Sequence, residues 1–487
     1  MNAPQEVVRE LVLGRRLERD DARAGRVHPT EDVPDGLALA SAVNALQDDE
    51  KRTAALGIKA RLQLPDDRQL VGRLRLGSAA ASRGSGWSRA RVPTSQVYRI
   101  SRADTNLFQH RTNHTTGCGS RWSQPARETP AMAKESTIRI GLAGAGVIAW
   151  AHALALRGLI REGLVAAELT AVHDRDDERA AGLADRLHLE RVSTADEVAE
   201  RCDAIYVCTS TAGHLEAVGA AARHGRAIFC EKPLACSLPE SSALVRLATE
   251  AQVPAQAGLV LRTAPVFREL ARLVESGELG RPMVAMMRDD QFFPIQGHYA
   301  STWRMDAEQA GSGALLEHSI HDLDAARMCF GQIDSVSART GNFAGYEGIE
   351  DAAAGVLTFA GGLSVTMVSA WHSVLSRPST RRVEVIFERG YVEFEDDFTG
   401  PITIQTSEGK ITRRCDPPDY VDGFILPEGA AGIGVRPYLE ENKNFVNALL
   451  AGRPPSPTLQ DALKAHEVVD AWYRSAAAGG AAVGGPF

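Results

Sequence analysis

Three short stretches of this sequence carry residue types and spacings that can do chemistry. In Ile138-Arg-Ile-Gly-Leu-Ala-Gly-Ala-Gly-Val-Ile-Ala149 an apolar run ends in glycines and a helical pattern follows. Gly144, Gly146 and Ala149 fit the G-x-G-x-x-G/A pattern of dinucleotide-binding loops. Gly144 would allow the tight turn, Gly146 would let the backbone approach a pyrophosphate, and the small Ala149 would let helix pack closely on strand. The free N–H groups at the helix start, from Val147 and Ile148, would then face the phosphate charge. Asp174 closes the next apolar run, a little beyond the usual spacing of about 20 residues. Its carboxylate can accept hydrogen bonds from an adenosine ribose and would repel a 2′-phosphate, which favours NAD. The neighbouring Arg175 could accommodate that phosphate, which keeps NADP open.

The second stretch is Thr209-Ser-Thr-Ala-Gly-His214, in which Thr209, Ser210 and His214 could line a bound cofactor. The third, Glu231-Lys232-Pro233, follows Ala227-Ile-Phe-Cys230 directly. A lysine at a buried strand end costs desolvation free energy unless it has a partner or a task. Pro233 fixes the backbone there, a cis bond being one way to do so. Each stretch also has a plainer reading: a glycine turn beside a surface Asp, and a solvated Glu-Lys-Pro turn.

These groups need a scaffold, and the rhythm of the sequence supplies one from Thr137 onward. Apolar strands at Thr137–Leu142, Leu169–His173, Ala204–Thr209, Ala227–Cys230 and Val253–Leu259 alternate with helical patterns. The helices are expected at Val147–Glu162, Asp176–Leu187, from the Ser193/Thr194 caps to Cys202, at His214–His224 and at Leu238–Glu250. This alternation predicts an α/β fold with a doubly wound parallel sheet covered on both faces. In such sheets ligands bind at the carboxyl ends of the strands, where all three stretches lie. The rhythm then changes. Helices at Pro265–Ser276 and Gly313–Cys329 and a strand at Pro282–Arg288 precede β-type runs at Gly355–Phe359, Leu363–Ala370, Arg382–Phe387, Tyr391–Phe394 and Ile402–Gln405. Such runs predict an antiparallel or mixed sheet. Helices at Pro437–Leu450 and Gln460–Ala477 follow, and an Ala/Gly-rich tail over 479–487 is expected to fray. The expected division is a nucleotide-binding domain over 132–260 and a second domain over 261–478.

Residues 1–131 read differently. Helical patterns occur at Gln5–Arg19 and Leu37–Leu56, but from Arg68 to Arg127 nearly every charge is an arginine among Ser, Thr, Gly and His. Such a stretch cannot bury enough apolar surface to offset the entropy of ordering it, so a disordered extension is expected. Met132, just before the first strand, would make a natural start. A basic arm for nucleic acid is the competing reading, but a net charge of −8 gives no electrostatic reason to expect that partner. No apolar run approaches the ~18–20 residues of a membrane span. Arg15-Arg16 is not followed by an apolar stretch, and the seven cysteines form no Cys-x-x-Cys pair. A cytoplasmic protein without a metal centre is expected.

Glycine loop, acidic strand end, Thr209…His214 and Glu231-Lys232-Pro233 occur together in the order found in the Gfo/Idh/MocA oxidoreductases, and the chain resembles that family from about Thr137 to about Ala478. The resemblance implies an N-terminal Rossmann domain and a C-terminal α/β domain with a large open, mostly antiparallel sheet that often mediates homo-oligomerisation. It also implies a second signature, Asp-x-x-x-His on a helix after a glycine pair. The matching stretch is Gly311-Ser-Gly-Ala-Leu-Leu-Glu317-His-Ser-Ile-His321. His321 falls on the family histidine, and Glu317 replaces the aspartate. Glu317 and His321, at i and i+4, would share a helix face, so Glu317 would orient His321 or bind a substrate hydroxyl. Its longer side chain moves the carboxylate and puts the substrate geometry in question. His318 adds a third polar group. Arg262, Tyr299 and the Trp303-Arg304 pair are further substrate-pocket candidates, an aromatic face and a guanidinium suiting a polyol ring.

The reaction so implied is hydride transfer between nicotinamide and a carbon of a sugar, inositol or related polyol, with NAD or NADP as cofactor. His321 would take the hydroxyl proton and Lys232 would stabilise developing alkoxide charge. Two other readings keep the fold: NAD-dependent, redox-neutral glycoside hydrolysis, and a cofactor-binding sensor without catalysis. The joint presence of Lys232 and His321 argues against the sensor.

Overall fold

The run Ile138–Ala143 is apolar from Ile140 onward because its strand sits inside a sheet packed on both faces. The structure, a computed structural model, describes residues 137–297, 299–416 and 436–487. The extension expected over 1–131, its two helices and Met132 lie outside the described residues. The first part runs β1 (Ile138–Ala143), α1 (Val147–Arg161), β2 (Ala167–His173), α2 (Asp177–Leu187), β3 (Glu190–Arg191), α3 (Ala195–Arg201), β4 (Ala204–Val207), α4 (His214–Arg223), β5 (Ala227–Glu231), α5 (Leu238–Glu250) and β6 (Ala255–Gly258). Its strands form a six-stranded parallel sheet in the order β3-β2-β1-β4-β5-β6. The order reverses between β1 and β4, so the loops leaving these two strands diverge and open a crevice at their carboxyl ends. Asp176, Thr194 and Ser237 cap α2, α3 and α5 by accepting backbone N–H groups that the helices leave free.

After β6 come α6 (Pro265–Ser276) and β7 (Pro282–Phe292). A widened π-type turn at Leu315–Ser319 then leads into α7 (Ile320–Phe330). β8 (Ile333–Gly341), β9 (Ala352–Phe359), β10 (Ser364–His372), β11 (Thr380–Phe387), β12 (Tyr391–Phe394), β13 (Ile402–Thr406) and β14 (Gly409–Arg413) follow. The chain closes with α8 (Arg436–Leu450), α9 (Leu459–Ala477) and β15 (Val483–Gly484). The second sheet has nine strands in the order β14-β13-β12-β11-β7-β10-β9-β8-β15, all antiparallel except β7 with β10. One face packs on α6, α7 and α9 through residues such as Phe267, Leu323, Val365, Val385 and Trp472. The other face leaves Met283, Met286, Val356, Val368 and Ile386 exposed. The alternating burial along β10 to β12 is what a sheet covered on one side requires.

Two expectations change. The tail over 479–487 is not frayed: Val483 pairs with Val336, the Phe487 N–H donates to the Ile333 carbonyl at 3.0 Å, and Phe487 packs on the core. β8 would otherwise present an edge of unpaired backbone groups, which the tail satisfies. The closing helices, placed by sequence order with the second domain, also cover the first sheet. Leu439, Phe445 and Val446 of α8 share a core with Ile140 and Tyr206, and Leu459 and Ala462 of α9 share one with Ile205 and Ile228.

Candidate active site

A cleft of about 950 Å³ opens at the carboxyl ends of β1, β4 and β5 and is closed on its far side by residues of β7, α7 and β11. At one end lies the glycine loop. Gly144 has φ +105°, and a Cβ there would sit 2.4 Å from the Cys208 carbonyl, so only glycine lets the turn rest on the end of β4. Gly146 caps α1 without any side-chain hydrogen bond, and a Cβ on it would meet nothing within 4 Å. The first N–H groups of α1, at Val147 and Ile148, therefore border open cleft with no side chain capping them, which fits an anionic pyrophosphate. Ala149 is fully buried against the sheet, as its small side chain allows.

Asp174 lies at the rim of this end. Its carboxylate accepts the Ala145 N–H at 2.7 Å and the Asp176 N–H at 2.9 Å. The Arg175 guanidinium is drawn to Glu216 at 2.7 Å, and Arg179 pairs with Asp176 at 3.2 Å. Both guanidinium groups beside the Asp174 carboxylate thus already face a carboxylate of the protein. Farther in, the Ser210 hydroxyl donates to Gln309 at 3.2 Å, and the Thr209 hydroxyl donates to the Ser210 carbonyl. His214 is buried with Nε2 3.3 Å from the Thr209 carbonyl, and burial lowers its pKa.

At the other end the Glu231-Lys232-Pro233 turn, with its cis Lys232–Pro233 peptide, projects Lys232 from β5 toward α7. Lys232 Nζ donates to the Glu317 backbone carbonyl at 2.7 Å. Glu317 lies in the widened turn, where backbone hydrogen bonds depart from the α ladder and carbonyls become available to other donors. Its buried carboxyl accepts the Thr211 hydroxyl at 2.6 Å and Arg304 Nε at 3.2 Å, and burial raises its pKa. Arg304 in turn lies over the Trp303 ring, 4.2 Å from its centre. Burial lowers the Lys232 pKa to about 8. Burial, followed by the Lys232 charge, pushes His321 well below the usual histidine value. The His321 Nδ1 has no hydrogen-bond partner among the described residues.

His318 is held more firmly. Its Nδ1 is 2.9 Å from Asp289, a buried carboxylate that also accepts the Ser319 hydroxyl at 2.6 Å. Burial alone would raise the Asp289 pKa, but Arg381 and His318 hold it well below the usual carboxylate range. Arg381 spans Asp322 at 2.9 Å, Asp289 at 3.3 Å and Asp397 at 2.5 Å. Glu350 anchors the start of the widened turn by accepting the Ser312 hydroxyl and the Gly313 and Leu315 N–H groups.

The structure thus brings Gly146, Val147, Ile148, Asp174, Arg175, Thr209, Ser210, His214, Glu231, Lys232, Tyr299, Trp303, Arg304, Glu317, His318 and His321 around one cleft. Arg262 is the exception among the pocket candidates. Its guanidinium makes two 2.7 Å bonds to the buried Asp324 and lies 3.4 Å from Asp461, away from the cleft lining. Asp324, buried at the middle of α7, needs that partner. Glu317 and His321 sit on the expected stretch, but the widened turn replaces the regular helix on which their shared face was argued. Thr211, Asp289, Glu350 and Arg381 were missed. The one available signal was Arg288-Asp-Asp-Gln291, four polar residues interrupting the apolar run of β7.

Residues 138–259 match a family described as an oxidoreductase family with an NAD-binding Rossmann fold, and residues 267–393 match the Gfo/Idh/MocA C-terminal domain. The chain is 28% identical over 348 residues to an inositol 2-dehydrogenase of Rhizobium meliloti (strain 1021), spanning 70% of this chain and 97% of that one. It is 29% identical over 294 residues to a 1,5-anhydro-D-fructose reductase of Ensifer adhaerens, spanning 57% and 83%. Among solved structures it resembles an oxidoreductase domain protein from Kribbella flavida, with 25% identity, a TM-score of 0.64, and coverage of 72% of this chain and 100% of that one.

Proposed function

Since this chain belongs to the Gfo/Idh/MocA oxidoreductases, whose first domain binds NAD, we propose that it moves hydride between NAD and a hydroxyl-bearing carbon of a sugar, inositol or related polyol. The observation that carries the reading is Lys232, a half-buried ammonium held over the same cleft as His321 and the glycine loop. When bound, the nicotinamide ring supplies the hydride acceptor or donor. The residues of this chain do the rest. The first turn of α1 receives the pyrophosphate, and Asp174 receives the adenosine ribose. Arg175, committed to Glu216, leaves the Asp174 carboxylate to disfavour a 2′-phosphate, so NAD is preferred to NADP.

A substrate hydroxyl takes the place of the Glu317 carbonyl at Lys232 Nζ, which then stabilises negative charge as it develops on that oxygen. His321, kept neutral by burial, accepts the hydroxyl proton. Glu317, His318, Tyr299, Trp303 and Arg304 bind the remaining hydroxyls. Neither redox-neutral glycoside hydrolysis nor cofactor sensing finds support among these relatives. The exposed apolar face of the second sheet supports a homo-oligomer, which light scattering would reveal. No helix among the described residues is long and apolar enough to cross a membrane, and the six described cysteines are free, which fits the cytoplasm. The test of the reaction is NADH formation, followed by absorbance across inositols, aldoses and polyols with NAD and NADP in parallel. A signal lost in Lys232→Ala supports the reading; silence across the panel while NADH still binds would sink it.

A further inference from the structure

Beside Lys232, three elements bring titratable groups together at the apolar core of the first sheet, with Glu231 reaching the cleft lining. His152 of α1, Glu231 at the end of β5 and Glu441 of α8 are all buried, and one ring or carboxyl atom of each lies within 4.8 Å of the others. His152 Nε2 is 2.8 Å from Glu231 Oε1, and its Nδ1 lies against the Asn442 amide. The other Glu231 oxygen accepts the Lys232 backbone N–H at 3.2 Å. Both oxygens of Glu441, which is 1% exposed, have no hydrogen-bond partner among the described residues. A carboxylate stripped of water and of donors is held in a core only if it keeps a proton or faces a cation.

Charge and geometry decide between those two. In an apolar pocket shared by an imidazole and two carboxyls, the carboxyl without a donor is the one whose charge is least tolerated. Glu231 receives both the ring and the Lys232 N–H. Glu441, which receives no donor, is the member that keeps the proton. A cation would require His152 Nε2 to give up its 2.8 Å contact with Glu231. The groups facing Glu441 are His152, Glu231, Tyr206, Tyr438 and Cys208, and burial followed by the Glu231 charge raises its pKa well above the ordinary value.

We propose that Glu441 is a positioning residue for Lys232: a carboxylic acid, within 4.8 Å of His152 and Glu231, whose bulk keeps water from the His152–Glu231 clamp and so fixes the strand end from which Lys232 projects. The significance of the clamp rests on the catalytic reading of Lys232, but its test does not. The pH dependence of Lys232 acetylation by acetic anhydride is measured by mass spectrometry on the full chain without substrate, separately from the NADH assay. Wild type should label with a midpoint near about 8. In Glu441→Ala water enters behind the strand, and the midpoint should rise by at least about one pH unit toward the ordinary lysine value. Glu441→Gln, neutral and of the same shape, should recover most of that shift. Thermal unfolding adds a second reading. A raised folded-state pKa means stability is lost as pH rises above the ordinary Glu value of about 4.3, so over that rise wild type should lose Tm faster than Glu441→Gln.

An unmoved midpoint in folded Glu441→Ala overturns the proposal, as does a Glu441→Gln shift as large as that of Glu441→Ala. Parallel Tm profiles overturn it too, as does an equivalent of metal that copurifies with wild type and is lost in Glu441→Gln. Should Glu441→Ala not fold, His152→Gln replaces it: a raised midpoint supports the clamp and an unmoved one overturns it.

Discussion

Lys232 and His321 line one cleft, and the charge on the lysine helps keep the imidazole neutral. Removing the ammonium in Lys232→Ala should lower kcat by about 10²–10³-fold, the usual cost of losing a donor to developing oxyanion charge. The KM for NAD should change little, because the glycine loop is untouched; steady-state kinetics separate the two effects. The pH profile follows with a definite sign. Lys232 must keep its proton to donate, so kcat should fall as pH rises through about 8, while His321, already neutral, adds no acid limb near its ordinary value. Cofactor choice is also a matter of one side chain. Asp174→Ser should raise the KM for NAD by about 10–150-fold, the roughly 1.5–3 kcal/mol of a hydrogen bond to a charged group, and narrow the preference over NADP. Asp174 and Lys232 were legible because each stands at the end of a strand, whereas His321 was placed only by the family resemblance. Asp289 and Arg381 were not, because their partners lie far along the chain and only the folded sheet brings His318, Asp322 and Asp397 to them.

At the scale of elements, the strand-helix alternation of the first sheet was readable because β4 and β5 are buried along their length and three of the five helices carry capping side chains. The Gly313–Cys329 stretch shows where reading by periodicity stops. Its apolar pattern predicts a helix, and α7 is one, but nothing in the periodicity marks a five-residue π-type turn at its start. The cause is a distant carboxylate. Glu350 accepts two N–H groups at that start, and a Cβ on Gly313 would lie 1.7 Å from the Glu350 carbonyl, so turn and loop are pressed together. Glu350→Ala should therefore cost about 1–3 kcal/mol of stability through the N–H groups it strands, measurable by denaturant unfolding. It should also lower kcat, since Glu317 and His321 sit just beyond. β8 was missed for a related reason. Ser335, Ser337, Arg339 and Thr340 are weak strand signals in sequence, and the strand is stabilised by pairing with β9 and by packing of α9 across it.

At the scale of the molecule, the second sheet is finished by the last residues of the chain. Deleting 483–487 would unpair β8 and remove Phe487 from the core, and a loss of about 1–3 kcal/mol with increased aggregation is expected, visible in Tm and in light scattering. α8 and α9 reach further. Although they come after both sheets in sequence, they supply Leu439, Phe445, Val446, Leu459 and Ala462 to the two faces of the first sheet. A fragment ending near residue 260 would expose those faces, and it should be insoluble or molten rather than a folded nucleotide-binding domain. The same arrangement bears on synthesis. The glycine loop and the Lys232 turn leave the ribosome well ahead of α8 and α9, which complete the cover of their sheet. Domains made vectorially usually fold in order of appearance. Here the nascent first sheet must wait with its apolar faces uncovered until α8 and α9 are released, a long exposure that suits a cell able to shield it with a chaperone.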